Sequence, residues 1–221
     1  MSGLPRILEP EVMESEEEAA EYDAMDHGEV NRLFVDRLFE LGAAGQILDV
    51  GTGPAQMLVD LCRRSPRERA VGLDAAHSML SIGRRHLARA GLLNRALLVR
   101  ADAKRLPFPD RSFDAVMSNS IMHHLPDPTP CLKEIARVLK PAGVILLRDL
   151  HRPADLSELD ALVEQHAAGA TDNQRKLFRD SLHASFTCHE MRDLLRAAGL
   201  QGLSVYRNSD RHWTAECRSL D

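Results

Sequence analysis

The sequence predicts an α/β fold in which a largely parallel sheet is flanked by helices. Short apolar runs typical of buried strands alternate with longer segments whose apolar residues recur at helical spacing. In addition, the predicted first strand, residues 47–50, runs directly into a glycine turn, residues 51–54 (GTGP), and a helical pattern follows at once. This order of strand, turn and helix is typical of folds that bind a ligand at the carboxyl ends of parallel strands.

The glycine turn predicts a nucleoside-type ligand. Gly51 and Gly53 let a ligand approach the backbone closely, and the free N–H groups of the next helix favour a polar or anionic group. Gln56 stands where a dinucleotide fingerprint has a third Gly or Ala. Asp49 ends an apolar strand, where an ionised carboxylate is costly unless it meets a ligand donor or hydrogen bonds. Asp74 ends the next strand and is well placed for two ribose hydroxyls, so we expect an adenosine ligand without a pyrophosphate.

Four segments carry a family resemblance: residues 47–56 (ILDVGTGPAQ), 72–80 (GLDAAHSML), 100–124 (RADAKRLPFPDRSFDAVMSNSIMHH) and 137–150 (RVLKPAGVILLRDL). In order and spacing they resemble the class I S-adenosylmethionine-dependent methyltransferases, most of all the small-molecule branch that contains the ubiquinone-biosynthesis type. The resemblance implies a Rossmann-like, seven-stranded sheet that is parallel with an antiparallel last strand. It also implies helices on both sides, an N-terminal helical lid and a helical insertion before the last strands.

The resemblance further implies S-adenosylmethionine as the cofactor and S-adenosylhomocysteine as its product. In this family Ala75 and Met79 would flank the adenine, Asp102 would accept from its exocyclic amine, and a backbone N–H beside Asp102 would serve a ring nitrogen. Asn119 follows the fourth strand at the ligand-binding edge of the sheet. The predicted cofactor-binding residues are Asp49, Gly51, Thr52, Gly53, Asp74, Ala75, Met79, Asp102, Ala103, Asn119 and Tyr22.

The pair His123 and His124 follows Asn119 and provides two candidate catalytic residues. An imidazole is a natural base for removing a proton from a hydroxyl, thiol or amine as it attacks the methyl group. The alternative is a structural role, since one of the two commonly packs or bonds to the backbone in the resembled family. We predict no metal site at His123, His124 and Asp127, because nothing else in this stretch completes a coordination shell.

A second polar cluster follows the predicted fifth strand. Arg148 and Asp149 either pair with each other or face the ligand. His151 is the third candidate catalytic residue, and Arg152 with His151 could instead recognise an anionic or carboxylate-bearing substrate. Beyond them, a helical insertion at about residues 154–186 is expected to form part of the substrate chamber, as insertions at this place do in the resembled family.

The chain is expected to divide into an N-terminal acidic arm or lid, residues 1–28, and a methyltransferase domain, residues 29–221, which includes the insertion. Residues 9–26 contain nine acidic residues and no Lys or Arg, which is typical of a solvated helix face or a loose arm. The alternative is a mobile lid over the cofactor, to which Tyr22 or His27 would contribute.

The end of the chain predicts a helix followed by an antiparallel hairpin. Thr187 and Glu190 form a capping box at the start of that helix. The hairpin has its turn at residues 208–210. Trp213, the single Trp of the chain, is expected to anchor the hairpin in the core, with stacking on a substrate as the alternative.

Composition argues against several classes of function. The net charge of −5 gives no basic footprint for nucleic acid, so binding of a tRNA is unsupported. We expect a small-molecule substrate, and a protein that is a monomer or homodimer. No apolar run reaches 18 residues and no leader is apparent, which predicts a cytoplasmic protein without a membrane span. The scattered cysteines lack a C-x-x-C pair and are expected to be reduced thiols: Cys62, Cys131, Cys188 and Cys217.

These observations together predict transfer of a methyl group to a small-molecule acceptor by in-line displacement at the sulfonium-bound carbon. In such a reaction the protein mainly orients the reactants and removes water. Two alternatives stay open. One is a related enzyme that uses a carboxylated cofactor or a tRNA acceptor, and the other is a non-catalytic module that senses the cofactor or assembles with an enzyme. The sequence leaves the acceptor atom open among O, N, S and C.

Overall fold

The computed structural model describes residues 3–9, 15–25 and 28–217. Seven strands form one sheet in the order β3-β2-β1-β4-β5-β7-β6. Strands β1 to β5 run parallel, and β7 is antiparallel to both β5 and β6. This confirms the predicted seven-stranded sheet with an antiparallel last strand. The strands are β1 Gln46–Val50, β2 Arg69–Asp74, β3 Ala96–Arg100, β4 Phe113–Asn119, β5 Leu139–Leu150, β6 Ser204–Arg207 and β7 His212–Cys217.

The helices of the described ranges lie on both faces of this sheet and at its ligand-binding edge. Two of them, α6 and α7, form the predicted insertion, and α8 begins at the predicted capping box of Thr187 and Glu190. A short 3₁₀ turn, Met122–His124, follows β4. The helices are α1 Glu16–Asp23, α2 Gly28–Glu40, α3 Gln56–Arg64, α4 His77–Arg89, α5 Thr129–Val138, α6 Leu156–Ala167, α7 Asp172–Ala184 and α8 Cys188–Ala197.

The central strands are buried on both faces, as their continuous apolar sequences require. Ile47 packs in one apolar cluster with Leu58 of α3, whereas the next residue, Leu48, packs in the other cluster with Leu132 of α5. Trp213 is fully buried in the second cluster, which confirms that it anchors the terminal hairpin in the core. No helix within the described ranges combines the length and the apolar character needed to cross a bilayer.

Strand β5 is longer than predicted. The sequence indicates a helix end at residues 141–143 and a strand from Val144, but β5 begins at Leu139. Leu139 pairs with Phe113, and the register then shifts before Ala115 pairs with Val144. Leu139 is therefore paired with β4 ahead of the irregularity, and local sequence patterns do not reveal this pairing.

Candidate functional site

The glycine turn between β1 and α3 is fixed to the neighbouring strand. The backbone N–H groups of Gly51 and Thr52 both donate to the carbonyl of Leu73, at 2.8 and 2.9 Å. Gly51 has a φ of +77°, and a Cβ there would come within 2.8 Å of the Ile121 side chain. Gly53 also has a positive φ, of +52°. A side chain at position 51 would be strained and would collide with Ile121, so the turn requires glycine there.

Asp74 joins the glycine turn to the end of β2. One carboxylate oxygen accepts from the Gly53 N–H at 2.8 Å, and the other accepts from the Ala76 N–H at 2.9 Å. Burial raises the pKa of Asp74, while these backbone hydrogen bonds oppose the rise. Because a carboxylate oxygen can accept more than one hydrogen bond, both oxygens retain capacity for ligand hydroxyls.

Most of the predicted cofactor residues surround one cleft at the carboxyl ends of the strands. The structure brings nine of them together in its lining: Tyr22, Gly51, Gly53, Asp74, Ala75, Met79, Asp102, Ala103 and Asn119. Thr52 and Asp49 are buried and do not contribute to the lining. The side chain of Asp102 is 55% exposed, and its Oδ1 accepts from the Lys104 N–H at 2.8 Å, which fixes its orientation in the loop.

Asp49 is fully buried at the end of β1. Among the described residues, neither of its carboxylate oxygens has a hydrogen bond of normal geometry. Burial raises the pKa of Asp49 to about 7, and the nearby Thr52 hydroxyl offsets only part of this rise. A buried carboxylate without a donor is costly when ionised. Asp49 is therefore poised to change charge close to neutral pH.

Helix α1 lies beside the cleft and contributes Tyr22 to its lining. Ala19 is fully buried against Met79 and Ile82 of α4, and Tyr22 packs against the same small cluster. Burial, reinforced by the negative charge of Asp74, raises the pKa of Tyr22 to about 12, so its hydroxyl stays neutral at physiological pH.

Gln56, the residue that departs from the dinucleotide fingerprint, fastens α1 to the domain. Its Nε2 donates to Asp23 Oδ1 at 2.8 Å, and His86 Nε2 lies 3.0 Å from the other oxygen of Asp23. The acidic segment thus contains a helix, α1, that packs against α4 and is hydrogen-bonded to α3. His27, the other candidate lid residue, lies outside the described residues.

The end of β4 presents strained and unsatisfied groups to the cleft. Ser120 has a φ of +61°, which is rare for a residue with a side chain, and its N–H donates to the Arg148 carbonyl at 2.9 Å. Within the described ranges, the buried Oδ1 of Asn119 has no hydrogen-bond partner. Strain of this kind tends to occur at ligand sites, and both residues line the cleft.

His123 lies in the 3₁₀ turn, is buried away from solvent and pairs with Asp149. Its Nδ1 contacts Asp149 Oδ1, and its backbone N–H donates to Asp149 Oδ2 at 3.1 Å. Burial alone would lower the pKa of His123, but attraction by Asp149 and Glu9 outweighs burial and raises it. Asp149 therefore does not pair with Arg148, whose Nε instead lies 3.4 Å from the Thr214 hydroxyl.

The segment of residues 3–9, which we call the N-terminal strap, runs across this turn. Arg6 donates to the backbone carbonyls of His123 at 3.0 Å and Leu125 at 2.7 Å, and its guanidinium lies 3.9 Å from the ring centre of Phe186. It also donates to the carbonyls of Pro126 and Ala184. Arg6 is not among the predicted site residues, because nothing local in the sequence marks a single Arg as a donor to distant carbonyls.

Glu9 ends the described part of the strap and points at both histidines. Its Oε1 lies 3.3 Å from His123 Nε2 and 2.8 Å from His124 Nδ1, and its side chain is only 7% exposed. In the sequence, Glu9 is distinguished only as one member of an acidic run. A histidine pair that meets a carboxylate from a distant segment gives no signal in the spacing of residues.

The three candidate catalytic histidines lie in different surroundings. His124 lines the cleft, whereas His123 is buried beside it. His151 is outside the cleft lining, and burial, aided by the positive charge of Arg207, lowers its pKa. Arg152 is held by an ion pair with Glu190 at 2.5 Å, so its guanidinium is already engaged within the fold.

The chain is similar in sequence and in fold to known methyltransferases. Residues 48–147 match the family model described as a methyltransferase domain. The demethylmenaquinone methyltransferase of Listeria monocytogenes is 34% identical over 118 residues, which are 53% of this chain and 49% of that protein. The chain thus spans about half the length of the curated relatives it matches.

Two solved structures resemble nearly the whole chain. A putative S-adenosyl-L-methionine-dependent methyltransferase from Methanococcus maripaludis has a TM-score of 0.72 and 16% identity, covering 97% of this chain and 98% of that one. A SAM-dependent methyltransferase from Aquifex aeolicus has a TM-score of 0.68 and 18% identity, covering 92% and 98%. The family match is therefore limited to residues 48–147, which are less than half of the chain, while the chain as a whole has the fold of these S-adenosylmethionine-dependent methyltransferase structures.

Proposed function

We propose that this protein transfers the methyl group of S-adenosylmethionine to a small-molecule acceptor. The observation that carries the proposal is the arrangement of Asp74 at the cleft. Its two oxygens are oriented by the N–H groups of Gly53 and Ala76, and they remain able to accept two ribose hydroxyls. The methyltransferase family match and the fold support the choice of cofactor.

The residues of the cleft fit the parts of this cofactor. Asp74 would hold the ribose, Ala75 and Met79 would flank the adenine, and Asp102 would accept from its exocyclic amine. The cofactor itself supplies a methyl group activated by the positive charge on its sulfur. The chain therefore contributes orientation and the exclusion of water. Helix α1, with Tyr22, would cover the bound cofactor.

The acceptor would approach the cleft beside His124, which lines it, and the insertion would border this region because α7 packs against the 3₁₀ turn. Since the matched relatives are named demethylmenaquinone methyltransferases, demethylmenaquinone is the first acceptor to assay. His124 is the histidine in the cleft lining and so the first candidate for accepting a proton from the acceptor. The oligomeric state and the cytoplasmic location stay predictions of the sequence.

Calorimetric titration with S-adenosylmethionine and S-adenosylhomocysteine tests the cofactor site. We expect micromolar binding to the wild type and at least a roughly 10-fold weaker affinity for Asp74→Ala, because hydrogen bonds to a charged group contribute about 1.5–3 kcal/mol each. Asp160→Ala on α6 is the matched control, since the Asp160 side chain is 63% exposed and lies outside the cleft lining. Equal affinity of the wild type and Asp74→Ala, or no binding to the wild type, contradicts the proposal.

Transfer of a labelled methyl group separates an enzyme from a binding module. The wild type with labelled cofactor is incubated with demethylmenaquinone, with a metabolite extract and, separately, with a tRNA pool. Label in a small molecule supports the proposal. Tight cofactor binding without any labelled product favours the non-catalytic module, and label in tRNA favours the alternative acceptor.

A further inference from the structure

We propose that Glu9, His123 and His124 form a binding site for a divalent transition-metal ion of the zinc type. Within the described ranges they are the group of potential metal ligands that converges: one ligand atom of each lies within 4.8 Å of the others. Two imidazole nitrogens and one carboxylate oxygen are a ligand set that suits zinc and its first-row neighbours, whereas magnesium and calcium prefer oxygen alone.

Of the two distances from Glu9 to the histidines, one equals the spacing in a tetrahedral site and the other is shorter. With metal bonds of about 2.0–2.1 Å, neighbouring ligand atoms lie about 3.3 Å apart. Glu9 Oε1 lies 3.3 Å from His123 Nε2 and 2.8 Å from His124 Nδ1. Glu9 Oε1 and His124 Nδ1 form this close ion-pair contact, but their alignment is not that of a normal hydrogen bond. Among the described residues, neither atom has a hydrogen bond of normal geometry. An ion between them would satisfy both.

The atoms behind the three ligands are held in the way that metal sites require. The other ring nitrogen of His123 contacts Asp149, the arrangement in which a carboxylate orients a metal-bound histidine. The second oxygen of Glu9 accepts from the Ser181 hydroxyl at 3.0 Å. Arg6 clamps the strap to the carbonyls of the 3₁₀ turn, which keeps Glu9 against the histidines.

The charges of the surroundings fit a divalent cation. Histidines that bind a metal are neutral. The carboxylates of Glu9 and Asp149 would then contribute two negative charges, and the nearby Arg6 one positive charge. The net charge of these groups would be −1, which attracts a cation. Asp127, the acid that follows the histidine pair in sequence, takes no part. Its Oδ1 accepts from the Thr129 N–H at 2.9 Å at the start of α5.

The site would keep one coordination position for a ligand from the cleft. Three protein ligands leave the fourth tetrahedral position open, which is the pattern of catalytic zinc sites, and His124 lines the cleft. A hydroxyl or thiol bound there would release its proton to solvent more readily, and in the metal-bound protein His124 would act as a ligand and not as the base. This last role rests on the proposed function, whereas metal binding does not.

Metal binding is tested on the full chain after treatment with a chelator. Titration with Zn²⁺ by calorimetry, and with Co²⁺ by visible absorption, should give one site per chain with the spectrum of tetrahedral Co²⁺. We expect Glu9→Gln and His124→Ala to abolish the site, and Asp149→Asn to weaken it about 10- to 100-fold. His189→Ala, whose side chain is 86% exposed on α8, should bind like the wild type.

Circular dichroism and thermal unfolding of each variant show whether it folds. His124→Ala leaves both Glu9 and Arg6 unchanged, so the strap should stay in place in this variant. His124→Ala therefore tests the ligand set even if Glu9→Gln detaches the strap. Absence of a stoichiometric site in the wild type overturns the proposal, and so does unchanged Co²⁺ absorption in Glu9→Gln and His124→Ala. Cofactor affinity, which depends on Asp74, is measured separately, so failure of the metal site is distinguishable from failure of the proposed function.

Discussion

At the residue scale, Asp49 is a carboxylate that the fold removes completely from water. It is fully buried and, within the described part of the chain, lacks a hydrogen-bond donor of normal geometry. Burial raises its pKa from a usual 3.8 to about 7. Such a shift is common where a side chain serves a ligand, and it has a measurable consequence for stability.

The folded protein should hold a proton on Asp49 that the unfolded chain releases, so the contribution of Asp49 to stability is present below pH 4 and is lost as the pH rises towards 7. We expect the free energy of unfolding of the wild type, relative to Asp49→Asn, to fall by up to about 4 kcal/mol over this range, at about 1.4 kcal/mol per pH unit. Urea unfolding of both ligand-free proteins from pH 4 to 8 measures the difference. Parallel curves for the two proteins contradict a raised pKa.

At the scale of the element, α1 depends on the contacts of its last turn. A helix of eight residues is too short to be stable alone, even with its capping box of Ser15 and Glu18. Its apolar contact is small and centres on Ala19. Gln56 and His86 therefore contribute much of its attachment, both through Asp23.

We expect Gln56→Ala to loosen α1 without disturbing α3, since Ala is a good helix former. The lost hydrogen bond is typically worth about 1 kcal/mol, so amide exchange in residues 16–23 should quicken and the affinity for S-adenosylmethionine should fall a few-fold. Hydrogen-exchange mass spectrometry and calorimetry measure these effects. The control is Glu17→Gln on the exposed face of α1. Unchanged exchange in Gln56→Ala means that α1 is held by other contacts.

At the scale of the whole molecule, one sheet connects the cleft at the carboxyl ends of the parallel strands to the terminal hairpin. Strand β5 pairs with β4 on one side and with β7 on the other, so it links the ligand-binding edge to the last strands. Trp213 of β7 pairs with Asp149 in register and is fully buried in the larger apolar cluster. Its side chain therefore joins the hairpin to the core that supports the site.

Trp213→Ala should destabilise the protein by about 3–5 kcal/mol, because it leaves a large cavity in a packed core. Trp213→Phe, which retains an aromatic ring, should cost less. Chemical denaturation followed by far-ultraviolet circular dichroism measures both. Leu97→Ala on β3 is the control, since Leu97 is 60% exposed and should change stability by less than about 1 kcal/mol. A cost for Trp213→Ala as small as that of Leu97→Ala contradicts a core role.

Local sequence patterns predict the sheet and most of the residues that line the cleft. Glycine turns, apolar runs and acids at strand ends are local patterns, and the carboxyl ends of parallel strands meet at one edge. Nine predicted residues, Asp74 and Asn119 among them, therefore line one cleft. Gln56 was visible as a departure from the fingerprint, but its bond to Asp23 was not, because the position of α1 depends on packing.

The surroundings of the histidine pair follow from long-range packing and not from any local pattern. Arg6 reaches carbonyls 117 and 119 residues further along the chain, and Asp149 meets His123 instead of its neighbour Arg148. Glu9 belongs to an acidic run whose members look alike in sequence, yet it alone is clamped against His123 and His124 within the described ranges. Contacts of this kind have no period in the sequence. They arise where the strap, β5 and the 3₁₀ turn converge. Burial and the neighbouring charges then shift the pKa values of His123 and Glu9.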